Sequence, residues 1–178
     1  MLLVLDVGFA NMGWLVFHEK KIVDCGVIQT EKTQKKSTRV ADDHAYRSII
    51  LAQKLNGIIQ KYDVQGIIGE LPSGGAQSAK AMAFMSSAIS VVSAVGTLCD
   101  LPMEWATPME VKKALVGNRS ASKEQMMDKA TEMFGFSFND KKWICNDKKF
   151  GKGEFEHIAD ATGVYLALKN DNLVKMFG

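Results

Sequence analysis

Leu2-Leu3-Val4-Leu5 is an unbroken apolar run that ends at once on Asp6. A strand with one wet face alternates apolar and polar residues; a strand without alternation is covered on both faces. Layers must therefore pack above and below this segment, and the rest of the chain supplies them. Trp14–Phe17 and Ile22–Ile28 read as two further strands, joined by the polar His18-Glu19-Lys20-Lys21 in a meander with the first. Residues 31–39 are polar and basic, a loop. From about Asp42 to Tyr62 the spacing predicts a helix, with Tyr46, Ile50, Leu51, Leu55, Ile58, Ile59 and Tyr62 on one face. Val64–Gly69 reads as a strand reaching Glu70, broken by Pro72-Ser73-Gly74-Gly75 before a long small-residue helix from about Ala76 to Cys99.

The second half continues the alternation. Met103–Ala106 reads as a fifth strand. Thr107-Pro108-Met109-Glu110 has the form of a capping box with proline at the first helical position, and that helix stops near Gly117. Ser122-Lys123-Glu124-Gln125 caps another, running to about Phe134. A loop carrying lysines and aromatics follows, and a last helix bears Ile158, Ala161, Val164, Tyr165 and Leu168. A meander followed by alternating helices and strands makes a mixed α/β sheet with helices on its faces. With 178 residues, no repeat and no linker, one domain over 1–178 is expected.

Composition excludes a disordered tail or a fibre, since 47% of the residues are apolar and 24% charged. The net charge of +2 hides an uneven distribution. Lys112–Lys152 holds ten basic residues against five acidic ones, a net +5, so the remainder nets −3. Three cysteines without a CxxC pair, and scattered histidines, argue against a disulfide framework and against zinc. The N-terminus lacks the basic region of a secretory leader, which points to the cytoplasm. Ala81–Cys99 is uncharged, but Ser86, Ser87, Ser90, Ser93, Gly96 and Thr97 dilute it, so a core or interface helix is expected rather than a membrane span.

Three acids stand at element ends or on a helix: Asp6 closes the first strand, Glu70 the fourth, and Asp160 follows His157 by one helical turn. If the first and fourth strands are neighbours, Asp6 and Glu70 meet at the end of the sheet, where open α/β sheets bind ligands. Crowded carboxylates repel and call for a cation; oxygen donors suit Mg²⁺, and a histidine nitrogen tilts the balance toward Mn²⁺. Taken singly, each acid also reads as a turn former, a helix cap or a solvated side chain. Glu154 and Glu156 crowd the same helix.

At these residues the chain resembles the RuvC-like Holliday-junction resolvases of the RNase H-like superfamily. Leu5-Asp6-Val7-Gly8 with Asn11-Met12-Gly13-Trp14, Ile67-Ile68-Gly69-Glu70, Thr107–Gly117 continuing to Ser122-Lys123, and Glu156–Ala161 carry the likeness, in the family's order. The resemblance implies an RNase H-like five-stranded mixed sheet, three antiparallel strands and then parallel ones, flanked by helices. It makes Asp6, Glu70, His157 and Asp160 the catalytic and metal-binding set, holding two Mg²⁺ ions for which Mn²⁺ substitutes. Lys112 and Lys123 match lysines that contact the DNA backbone. The family acts as a homodimer on four-way junctions and leaves nicks with 5′-phosphates, which would make the Ala76–Cys99 helix a dimer interface. No membrane and no small-molecule substrate are implied.

The chain departs from bacterial members after Glu70, where Leu71-Pro72-Ser73-Gly74-Gly75 carries neither their glutamine nor their junction-entering aromatic. Phe136–Gly153 is longer and more basic than their approach to the last helix. Both differences favour a bacteriophage-type member. Phosphate contact is expected of Lys113, Arg119, Lys141, Lys142, Lys148 and Lys149 as well, with Trp143 and Phe150 placed to stack on an unpaired base. Three rival readings share some of these features: a YqgF-like nuclease for structured RNA, an actin-group ATPase that needs a longer two-lobed chain, and a non-catalytic junction binder that has no use for a repulsive acidic cluster.

Overall fold

The computed structural model describes residues 1–33, 37–71 and 78–178. The Pro72–Gly75 break, the missing aromatic after Glu70 and the first residues expected of the long helix lie outside the described residues. The meander forms as expected: β1 (Leu2–Asp6), β2 (Asn11–His18) and β3 (Lys21–Gln29) pair antiparallel. After α1 (Val40–Lys61), β4 (Gly66–Glu70) joins β1 in parallel. β5 (Met103–Ala106), reached through α2 (Ala79–Leu98), then joins β4, also in parallel. The sheet order is β3-β2-β1-β4-β5. This is the RNase H-like mixed sheet.

Two cores cover the two faces of β1. Leu2 and Val4 join one with Leu15, Phe17 and the helices that follow β5; Leu3 and Leu5 join the other, under α1 and α2. The first group of helices is α3 (Pro108–Val116), α4 (Lys123–Phe134) and α5 (Lys152–Ala167), and the short α6 (Asn172–Phe177) ends the chain. Both expected capping boxes form, with Thr107 and Ser122 accepting the backbone N–H of Glu110 and Gln125. α2 is long and apolar enough to cross a membrane by length and composition, yet only 17% of its most apolar window is buried. It lays one side, with Ala88, Val92 and Val95, on the core and leaves the other side exposed.

Two expectations fail. The lysine- and aromatic-bearing loop is a small antiparallel sheet, β6 (Ser137–Asn139), β7 (Lys142–Cys145) and β8 (Lys148–Phe150). Its two-residue turns, Asp140-Lys141 and Asn146-Asp147, take the positive φ that tight hairpins require, which Asn and Asp tolerate. On α1, Tyr46 is exposed rather than inward. The buried stripe runs Asp43, Arg47, Leu51, Leu55, Ile59, so two charged residues continue it in steps of four.

Candidate active site

Alternation along β1 decides which face receives Asp6. Leu2 and Val4 point into the core that holds α5, and Asp6 continues that series. Glu70 is its register partner on β4, and Ile68 two residues earlier lies in the same core, so both acids face α5. On β2 the partner of Asp6 is Gly13. A Cβ there would stand 2.2 Å from the carbonyl oxygen of His157, so the absence of a side chain lets α5 rest on the strand. That seating brings His157 Nδ1 within 2.7 Å of Asp6 Oδ2. Asp160, one turn along, joins the same cluster.

The electrostatics report the crowding. Burial, then the charges of Asp6 and Asp160, push Glu70 up to about 8, against a weaker pull from Lys112. Burial, then Asp6 and Glu156, push Asp160 up to about 7, opposed by His157 and Lys123. The hydrogen bond to Asp6 raises His157, with burial working against it. Lys112 and Lys123 are thus the two lysines whose charge reaches the acids.

The other candidate side chains lie further out. Lys113, Arg119, Lys141, Lys142 and Lys149 are exposed and pair with no acid among the described residues. Lys148 instead donates to Asp24 Oδ1 at 2.5 Å and to the Cys25 carbonyl at 3.2 Å, fastening β8 to β3. Trp143 and Phe150 do not present their rings to a base. They share the inner face of the small sheet, where Trp143 stacks on Phe155 at 4.8 Å and donates its indole N–H to Thr131 Oγ1, and Phe150 is buried.

Two glutamates on α5 have separate tasks. Glu154 accepts the backbone N–H of Gly151 and caps the helix, while Glu156 holds Lys123 by a charged hydrogen bond. Arg47 was missed as a candidate, although its four-residue spacing from Leu51 and Leu55 signalled an inward position.

The fit to a divalent cation rests on donor chemistry. Among the described residues no three His, Cys, Asp or Glu side chains already stand together as ligands. Asp6 is turned to His157 instead. Yet hard oxygen donors, two of them held above their ordinary ionisation by burial and then by neighbouring charge, are the set a divalent cation neutralises.

No family model matches the chain. The crossover junction endodeoxyribonuclease RuvC of Prochlorococcus marinus strain NATL2A is 28% identical over 134 residues, 70% of this chain and 77% of that protein. RuvC of Brachyspira hyodysenteriae is 32% identical over 128 residues, 69% of this chain and 74% of that protein. Among solved structures, Thermus thermophilus RuvC in complex with Holliday junction substrate matches with a TM-score of 0.67 at 15% identity, over 93% of this chain and 90% of that one. The yeast mitochondrial Holliday junction resolvase Ydc2 matches at 0.62 and 15%, over 93% and 76%. The structures speak for the fold, and the sequence relatives for descent: the chain belongs to the RuvC family of crossover junction endodeoxyribonucleases.

Proposed function

We propose that the protein is a structure-selective endonuclease that resolves four-way DNA junctions by hydrolysing phosphodiester bonds. Water adds at phosphorus and the P–O3′ bond breaks, leaving a 5′-phosphate and a 3′-hydroxyl. The observation that carries this reading is the gathering of Asp6, Glu70, His157 and Asp160 at one end of the sheet, flanked by Lys112 and Lys123.

In this reading Asp6, Glu70 and Asp160 hold two divalent ions, Mg²⁺ with Mn²⁺ able to replace it. When bound, these ions supply charge neutralisation at the phosphate and a more acidic attacking water. His157, hydrogen-bonded to Asp6, either joins the ligands or passes a proton from the water. Lys112 and Lys123 meet the phosphates on either side of the cleaved bond, and the exposed Lys113, Arg119, Lys141, Lys142 and Lys149 extend that grip along an arm. Two copies, joined through α2 about a two-fold axis, would present two such sites to opposed strands. The setting is the cytoplasm, where the DNA is.

The test is a cleavage assay in Mg²⁺ or Mn²⁺ on four-way, three-way, flap and linear DNA and on structured RNA, with Asp6→Asn as control. Four-way junctions should be cut in preference, with ligatable ends. Asp6→Asn should abolish cleavage and leave junction binding within about threefold of the wild type. Full activity in that variant, or preference for RNA, sinks the assignment.

A further inference from the structure

The end of the sheet that carries Asp6 and Glu70 holds a second polar hollow. β3 runs in the same direction as β1, with β2 between them; Val27 is the β3 residue level with Asp6, so Thr30, just past β3, lies two strands across and three residues further along. At ~4.8 Å per strand and ~3.3 Å per residue that is roughly 14 Å. There a cavity of about 540 Å³ opens between the residues after β3 and the first turns of α1 and α2.

Arg47 forms part of its wall and is only 5% exposed. Its guanidinium lies over the rings of Phe9 and Phe84, at 4.8 and 5.2 Å. Nε donates to Thr30 Oγ1 at 3.2 Å and Nη2 to the Thr30 carbonyl at 3.1 Å. Among the described residues no carboxylate lies within ion-pair distance of it. Among the described residues Nη1 makes no hydrogen bond, and Arg47 lines the cavity.

Lys32 and Lys80 stand exposed at the rim. The acid in the lining is Asp43, whose Oδ1 accepts the Thr33 N–H at 2.6 Å. Three cations against one anion leave the hollow positive. A guanidinium held in a fixed plane, buried and without a carboxylate, is costly by itself and suited to an anionic phosphate oxygen.

We propose that this cavity seats a backbone phosphate of the junction strand, about four nucleotides from the cleaved bond at ~3.4 Å of rise each. It rests on the junction-resolving reading and extends it: Lys112 and Lys123 hold the strand on the α3–α4 side of the acids, and Arg47, Lys32 and Lys80 hold it on the α1–α2 side. The site also fixes which phosphate faces Asp6, because a strand pinned on both sides cannot slide.

The probe is a fluorescent four-way junction titrated with full-length protein in the presence of a chelator, so that binding is read without cleavage. Lys32→Ala/Lys80→Ala should weaken binding about tenfold and reduce the slope of log affinity against log salt by about 0.9, one phosphate's share. Both lysines are exposed, so the melting temperature should stay at the wild-type value. A second arm replaces single phosphates around the cleavage site with neutral methylphosphonates. One position within about five nucleotides should weaken the wild type, and the double variant should lose most of that sensitivity. Unchanged affinity and slope overturn the proposal, as does a wild type insensitive to methylphosphonate throughout that stretch. A wild type that binds no branched DNA overturns the junction reading itself, and the cavity assignment with it.

Discussion

At the scale of single residues, the site is a set of charges that would rather not be together. Glu70 ionises near 8 in the folded chain, against 4.5 for an ordinary glutamate. Between those values the folded chain keeps a proton that the unfolded chain has lost. Stability therefore falls as pH rises through the window, and the loss is complete above about pH 8. Glu70→Gln removes the charge. We expect it to match the wild type near pH 4.5 and to exceed it by about 1–3 kcal/mol above pH 8, measured by denaturant unfolding with a chelator present. Millimolar Mg²⁺ should narrow the gap by stabilising only the wild type. A gap independent of both pH and metal would mean that Glu70 does not feel Asp6 and Asp160 as the geometry requires. At the same scale, charge reversal of Lys112 and Lys123 should weaken junction binding at least tenfold and flatten its salt dependence. An unaltered salt slope would remove both lysines from the DNA surface.

At the scale of elements, what could be read from sequence was whatever local chemistry announces. The strand Leu2–Asp6, the capping boxes at Thr107 and Ser122, and the face shared by His157 and Asp160 all follow from residue type and spacing. The small sheet β6–β8 escaped because its strands are three or four residues long, too short to show alternation, and only the Asp140-Lys141 and Asn146-Asp147 turns betray it. The same brevity hides where its aromatics point: without strand register, nothing in the sequence says that Trp143 faces Phe155. Trp143→Ala should cost about 2–3 kcal/mol by opening a gap beneath that sheet, read from the unfolding midpoint. The seating of α5 on Gly13 likewise needs tertiary contact to be seen. Gly13→Ala puts a methyl group against the His157 carbonyl and must lift the helix that carries His157 and Asp160. Cleavage should fall about 100-fold, as expected for a displacement near 1 Å, in a chain that still folds cooperatively. Wild-type cleavage in that variant would show that α5 does not set the site's geometry.

At the scale of the whole molecule, the fold leaves one long surface without an internal partner among the described residues. α2 packs its inner side, with Ala88, Val92 and Val95, on the core under α1. Its outer side carries Ala83, Ser86, Ser90 and Ala94, all exposed. An apolar helix with small residues outward permits a second helix to approach closely, and a two-fold axis would let the same stripe serve both copies. The two acidic sites would then be held at a fixed separation, which a single copy cannot provide. A bulky charge in the middle of the stripe tests this without touching either site. Ser90→Arg should shift the protein from dimer to monomer in sedimentation equilibrium, while its circular dichroism and melting temperature stay near the wild type because Ser90 is exposed. On a supercoiled plasmid carrying an extruded four-way junction, the wild type should release linear product through two cuts made within the lifetime of one complex. The variant should accumulate nicked circles, since each cut would then need its own encounter. A monomeric Ser90→Arg that still makes paired cuts would show that coupling does not depend on this helix, and a variant that remains dimeric would place the two-fold contact elsewhere on the surface.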